Sequence, residues 1–159
     1  MHSGFDDPRL TAVGLLVETH GGLTARLNEV HFRHGLTGID FDALIRIARS
    51  PDQQLRLGDL AAQTGLSTSG ITRIVDRLER GELVRRTRSP GDRRGWAAVL
   101  TDTGLARLEQ LLPDLLAAIE RYLTGQLTPD QLDALLDALH RIRRAVRPDA
   151  TAGATPAAE

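Results

Sequence analysis

The 159-residue chain has no cysteine and no lysine, and aromatic residues make up only 3% of it. Without cysteine there is no disulfide framework, thiolate metal site or thiol redox switch, and Met1 is the only other sulfur. Scarce aromatics leave the core to Leu, Ile, Val and Ala, a palette that suits helices better than β-sandwiches. No apolar run approaches the roughly 20 residues that cross a bilayer. The opening MHSGFDDPRL has no basic end followed by an apolar stretch, so the expectation is a soluble, cytoplasmic protein without a membrane partner. There is no P-loop, GxGxxG, GxSxG, HExxH or other dense metal-ligand spacing. An enzyme is therefore not expected, nor is a cofactor or a resident metal.

All 20 basic residues are arginine, against 21 acids, and the formal net charge is −1. That total hides an uneven distribution. From Ser67 to Gly95 there are eight arginines (73, 77, 80, 85, 86, 88, 93 and 94) and four acids, so this block carries +4 and the remainder −5. A basic block within an acidic chain points to a polyanionic partner for that block alone. Arginine also gives planar, bidentate contacts that lysine cannot.

Hydrophobic spacing predicts a mainly α chain. A long first helix runs from Pro8 to about Arg33, with Gly21-Gly22 as the place where it would break. A second spans Ile39 to Ala48 and ends at Ser50-Pro51-Asp52. Leu57, Leu60 and Ala61 mark a third, followed by a turn at Thr64-Gly65-Leu66 and by Ser67 as an N-cap. In the next segment Ile71, Ile74, Val75 and Leu78 stand at i, i+3, i+4 and i+7, which leaves Thr68, Ser69, Thr72, Arg73 and Arg77 largely on other faces. Two helices joined by a glycine-containing turn, the second with a small, polar, cationic face, make a helix-turn-helix. Leu83 to Arg88 and Arg93 to Leu100 then flank Ser89-Pro90-Gly91-Asp92, the pattern of a β-hairpin with arginine near its tip: a wing.

Thr101 caps a further helix reaching about Tyr122, bent at Pro113, and Thr128-Pro129 opens a last one. These two carry more leucine than a winged domain of about 65 residues covers. The economical partner for such a stripe is a second copy, because a two-fold dimer sets two recognition helices on successive major grooves about 34 Å apart. The expected organisation is dimerisation helices at 8–35 and 101–147, a winged helix-turn-helix at 36–100 with a three-helical core, and flexible tails at 1–7 and 148–159.

Read together, Leu60-Ala61, Gly65-Leu66-Ser67, the run Ile71 to Gly81, Asp92-Arg93-Arg94 and Leu100-Thr101-Asp102-Thr103-Gly104 resemble the MarR family of bacterial transcriptional regulators over about residues 8 to 147. The resemblance implies a triangular homodimer held by its terminal helices, binding to a pseudo-palindromic operator and, in many members, release by a small aromatic or lipophilic acid. It places the recognition helix at Ser67 to Arg80 and the wing motif Asp-x-Arg at Asp92 and Arg94. The peroxide-sensing cysteine of one branch is absent, and Ala98 stands where larger or β-branched residues are more usual.

Residue chemistry supports the same assignment. Ser67, Thr68 and Ser69 are small enough for close approach and can bond phosphates or base edges, Thr72 and Arg73 are candidates for base reading, and Arg77 for phosphate. Arg94 can enter a narrow minor groove with Asp92 orienting its guanidinium, and Arg93 adds charge beside it. His20, His31 and His34 fall within an arc of about 60° if the first helix is continuous. By the resemblance that helix borders an effector crevice. The three histidines are then either ligands for an anionic or aromatic effector, or a metal in the weaker version, or separate surface and interface groups. The function expected is a dimeric DNA-binding regulator, acting as a repressor that a small molecule releases. The alternatives are a helical protein-interaction module on a winged fold and a metal-responsive regulator.

Overall fold

The computed structural model describes residues 4–89 and 95–153. Helix α1 spans Pro8–Arg33, capped by the Asp7 carboxylate on the Arg9 amide with proline in the first turn. It runs through Gly21-Gly22 unbroken. Helix α2 is Gly38–Ala48, opened by a capping box in which Thr37 and Asp40 bond each other's backbone amides. Strand β1 (Gln54–Arg56) leads into α3 (Leu57–Thr64), and α4 (Thr68–Arg80) follows. Strands β2 (Val84–Arg88) and β3 (Trp96–Leu100) form the hairpin, α5 is Asp102–Tyr122 and α6 is Pro129–Val146.

The sheet is antiparallel in the order β1-β3-β2. Spacing alone did not anticipate β1, because three residues are too short to display a period of two. It lies on the free edge of β3, with Leu55 opposite Ala98 and Gln54 opposite Val99. Ala97 and Ala98 are buried in the central strand, and α2 packs across it. A small side chain at Ala98 thus lies between two flanking strands beneath a helix.

One core joins α2, α3, α4, the sheet and the first turns of α5: Leu44, Ile47, Leu60, Ile71, Leu78, Leu108 and Leu111 are fully enclosed, and Val30 reaches in from the end of α1. The four apolar positions of α4 all face it. This core reaches beyond 36–100 to take in the end of α1 and the first half of α5. Helix α5 continues past Pro113 as a single element, and Leu115 beyond it is still buried.

The outer parts of the long helices stay uncovered. Leu10, Val13, Leu15, Leu16 and Val17 on α1 are exposed, as are Leu136, Leu139, Ile142 and Val146 on α6, which buries none of its residues. The accessible surface is 11,048 Å², whereas a compact monomer of this mass exposes about 7,800 Å². At the ends the expected flexible tails are ordered in part. Gly4–Asp6 forms a 3-10 turn before α1, and Pro148–Thr151 forms another, followed as far as Gly153 and docked on α3.

Candidate nucleic-acid interface and effector groove

Ser67 caps α4 by accepting the Gly70 amide at 3.1 Å, and its hydroxyl lies 3.1 Å from that of Ser69. The turn before it is possible because Gly65 takes φ +73°, the left-handed C-cap of α3. Ser67, Thr68, Ser69 and Arg73 are exposed along the outer face of α4. Thr72, half-buried beside Trp96, donates its hydroxyl to the Thr68 carbonyl at 2.8 Å. Arg73 has no ion-pair partner among the described residues.

Arg77, expected on phosphate, is engaged within the protein. Its Nε and Nη2 donate to Asp40 Oδ1 at 3.0 and 2.5 Å, while Asp40 Oδ2 accepts from Thr37. The carboxylate that caps α2 thereby also holds α4. About half of the Arg77 side chain remains open to solvent, so the same guanidinium can face a phosphate with its geometry already fixed. A second clamp comes from Arg86 on β2. Its amide donates to Glu79 Oε1 at 2.9 Å, and its guanidinium bonds the Thr72 carbonyl and the Asp76 carboxylate. Wing and helix α4 are thus tied by a charge-assisted network across 10 to 14 residues of sequence. Arg88 stacks over Trp96, 4.3 Å from the ring centre, and the Ser89 amide donates to the Gly95 carbonyl at 3.0 Å, closing the hairpin stem. The expected wing contacts Asp92, Arg93 and Arg94 lie outside the described residues.

The histidines do not form one cluster. His20 is exposed well up α1, His31 is buried and stacked on Phe41 at 4.7 Å, and His34 ends the helix with Nε2 2.9 Å from Asp114 Oδ2. Continuity of α1 puts them on a similar heading, yet the first lies well above the packed end of the helix and the second beneath α2. Among the described residues no group of three metal-ligating side chains comes together. A groove of about 640 Å³ does lie between α1 and α5, lined by Arg26, Arg33 and Arg121 with Phe32, Tyr122 and Asp114. Arg26 and Arg121 sit 5.7 and 5.3 Å from the Tyr122 ring centre. Sequence reasoning missed these residues, because helices separated by 80 positions bring them together and no local spacing records that.

Two titrations at this end of α1 are shifted. Burial pushes the His31 imidazole below its ordinary value of 6.5, and the hydrogen bond from His34, assisted by the charge of Arg33, lowers the Asp114 carboxyl from 3.8. For His31 the unfolded chain binds the extra proton. Its contribution to stability is therefore present above pH 6.5 and lost as pH falls through the depressed folded value. The contribution of Asp114 is lost only below pH 3.8. The melting temperature should fall between pH 7.5 and 5.5, and His31→Phe, which keeps a ring against Phe41, should fall less over the same interval. Equal slopes would show that His31 is not responsible.

The family model described as MarR family matches residues 34–95. The HTH-type transcriptional regulator MhqR of Bacillus subtilis (strain 168) is 30% identical over 129 residues, covering 80% of this chain and 86% of MhqR. The chain belongs to the MarR family. It is thus a transcriptional regulator of the winged helix-turn-helix class and not an enzyme. Among solved structures it is similar to the MarR family regulator Sco3205 from Streptomyces coelicolor in complex with DNA, with TM-score 0.81 and 28% identity over 87% of this chain and 88% of that one. It is also similar to CouR from Rhodococcus jostii RHA1 bound to p-coumaroyl-CoA, with TM-score 0.73 and 26% identity over 89% and 95% of the two chains. The matched segment runs from α2 through β2 and ends just before β3.

Proposed function

We propose that this MarR family member is a homodimeric, sequence-specific DNA-binding repressor, released from a pseudo-palindromic operator by a small aromatic anion. The observation that carries the reading is the outer face of α4: three small hydroxyl residues at the helix start and an uncommitted Arg73 one turn on, with Arg77 held in place by Asp40. In the major groove, Thr72 and Arg73 read base edges while Ser67, Thr68, Ser69 and Arg77 reach phosphates. The wing lays Arg94 in the minor groove, with Asp92 orienting it and Arg93 alongside. The Sco3205–DNA complex supports this use of the fold.

Pairing of two chains is supported by the uncovered apolar faces of α1 and α6 and by an accessible surface well above that of a compact monomer of this mass. The α1–α5 groove suits the effector: Arg33 and Arg121 for a carboxylate or phosphate beside an Arg26 paired with Glu29, Tyr122 and Phe32 for a ring, and His34 at its rim through Asp114. CouR, whose ligand is both aromatic and anionic, is a precedent within the family. Release is a population shift. The ligand prefers a dimer whose two α4 helices no longer match successive grooves, and operator affinity drops by the ratio of its affinities for the two states.

The test is a mobility shift on the intergenic DNA beside the gene, repeated from 50 to 200 mM salt. Six or more phosphate contacts by a dimer predict a loss of about 10³-fold in affinity over that range. Affinity independent of salt would remove the electrostatic basis of the reading, and no retention at low salt would leave the protein-interaction alternative in its place.

A further inference from the structure

The residues after α6 do something the family's reading face does not require: they return to α3 and cap it. Helix α3 ends with orphan carbonyls. The Ala61 carbonyl is taken by the Gly65 and Leu66 amides and the Leu60 carbonyl by the Thr64 hydroxyl; two of those remaining are the carbonyls of Ala62 and Gln63. Arg147, the C-cap of α6, donates Nη2 to both, at 3.0 and 3.2 Å, from 84 and 85 positions away in sequence. A guanidinium at a helix C-terminus also meets the negative end of the helix dipole.

The fit is close. A Cβ at Gly65 would lie 2.7 to 2.8 Å from the Arg147 guanidinium, so the glycine that permits the turn also admits the arginine. Beyond Arg147 the chain makes its 3-10 turn. The buried Gln63 then donates Nε2 to the Ala152 carbonyl, and Gly153, at φ +73°, passes against Asp59. The other end of Gln63 accepts from Arg46 of α2 at 3.4 Å. Helix α6 buries none of its own residues. The turn that follows it is therefore where its end meets the lobe that carries α4.

We infer that Arg147 and the segment 148–153 form a strap that holds the helix-turn-helix at a fixed angle to α6, which makes Arg147 a positioning residue for DNA binding. The strap is a contact of this chain in the absence of DNA, while its consequence for DNA rests on the function proposed above. In a dimer held through α6, lobes fixed by this strap present two α4 helices at one separation. Lobes freed at this point sample several, and affinity for any one half-site spacing falls.

The experiment compares wild type, Arg147→Ala and Arg147→Lys on a duplex that the wild type selects from a random-sequence pool, and on versions with one base pair added or removed between the half-sites. Arg147→Ala should bind the selected duplex about tenfold more weakly, within the usual range of coupling between sites. It should also discriminate less against the altered spacings. Arg147→Lys, which keeps a cation for the same carbonyls, should recover most of both. Without DNA, hydrogen exchange at the Gly65 and Leu66 amides should accelerate in Arg147→Ala, with dimer mass unchanged. Faster exchange with wild-type spacing discrimination would reduce Arg147 to a local cap and overturn the positioning role, and unchanged exchange would overturn the strap itself. A wild type that selects no duplex would end the DNA reading and the positioning role together, while exchange would still decide the contact.

Discussion

Gly104→Ala should destabilise the protein by about 2–3 kcal/mol and lower the melting temperature by roughly 5–10 °C, although helix propensity alone favours alanine by up to about 1 kcal/mol. Gly104 lies in the first turn of α5, where its amide donates to the Thr101 cap at 3.0 Å. A Cβ there would stand 2.1 Å from the Leu83 carbonyl oxygen and 2.9 Å from Leu100 Cδ1. The carbonyl cannot step aside cheaply. It accepts the Thr101 amide at 3.2 Å, and the Leu83 amide is bonded to Leu78 at 2.9 Å, so relief would shift the junction of α4 and β2. That junction sets the wing against α4, and operator affinity should fall with stability. Gly58→Ala is the control, because an added Cβ there meets nothing within 4 Å. Thermal unfolding of the two variants checks the difference in sign, and equal melting temperatures would mean that the close approach at Gly104 is relieved without cost.

Neutralising Arg93 and Arg94 together should abolish retention of the operator in a mobility shift, a loss of about 10²-fold or more if each arginine supplies 1–3 kcal/mol. The expectation comes from the sequence, where these arginines flank the hairpin tip next to Asp92 in the most basic stretch of an otherwise acidic chain. Because backbone and minor-groove contacts carry little direct base information, the loss should be similar on matched and mismatched duplexes, and the salt slope should drop by about 4, since the dimer loses both arginines from each subunit. Arg73→Ala provides the contrast. Facing out from the first turns of α4, it should cost about 1–3 kcal/mol on the cognate duplex and relax the preference at one base pair. Stems closed by Ser89 and Gly95, with Arg86 pinned to Asp76 and Glu79, keep the wing base in place in the double variant, so folding should be unaffected. Undiminished retention by the double variant would remove the wing from the interface and leave α4 to account for binding.

Helix limits were legible because they are written locally. Asp7, Thr37, Ser67, Thr101 and Thr128 each accept a backbone amide two or three positions on, so cap and first turn lie within four residues of sequence. The outer face of α4 was legible for a similar reason: once Ile71, Ile74, Val75 and Leu78 are assigned to the core, helical geometry turns Arg73 outward. Strand β1 was not, since its three residues have meaning only beside Ala97, Ala98 and Val99. The histidines mark the limit of periodicity. A shared heading follows only if α1 is continuous, and which neighbour each ring meets depends on α2 and α5, and so His31 became a buried ring and His34 a partner of Asp114.

Charge partners show the same division. Sequence alone determined that the basic block follows a glycine turn and a serine cap, that its apolar side is the core side, and that the terminal helices have leucine to spare; these follow from composition and from a period of 3.6 residues. Only the tertiary structure decided that Arg77 belongs to Asp40, Arg86 to the carboxylates of α4, Arg147 to the end of α3, and that Gly104 has no room for a methyl group. The physical reason is range. Caps and amphipathic faces are set by neighbours within a turn of helix, whereas an arginine side chain finds whichever carboxylate or carbonyl the packed core brings within about 3 Å, and that choice is made across tens of residues at once.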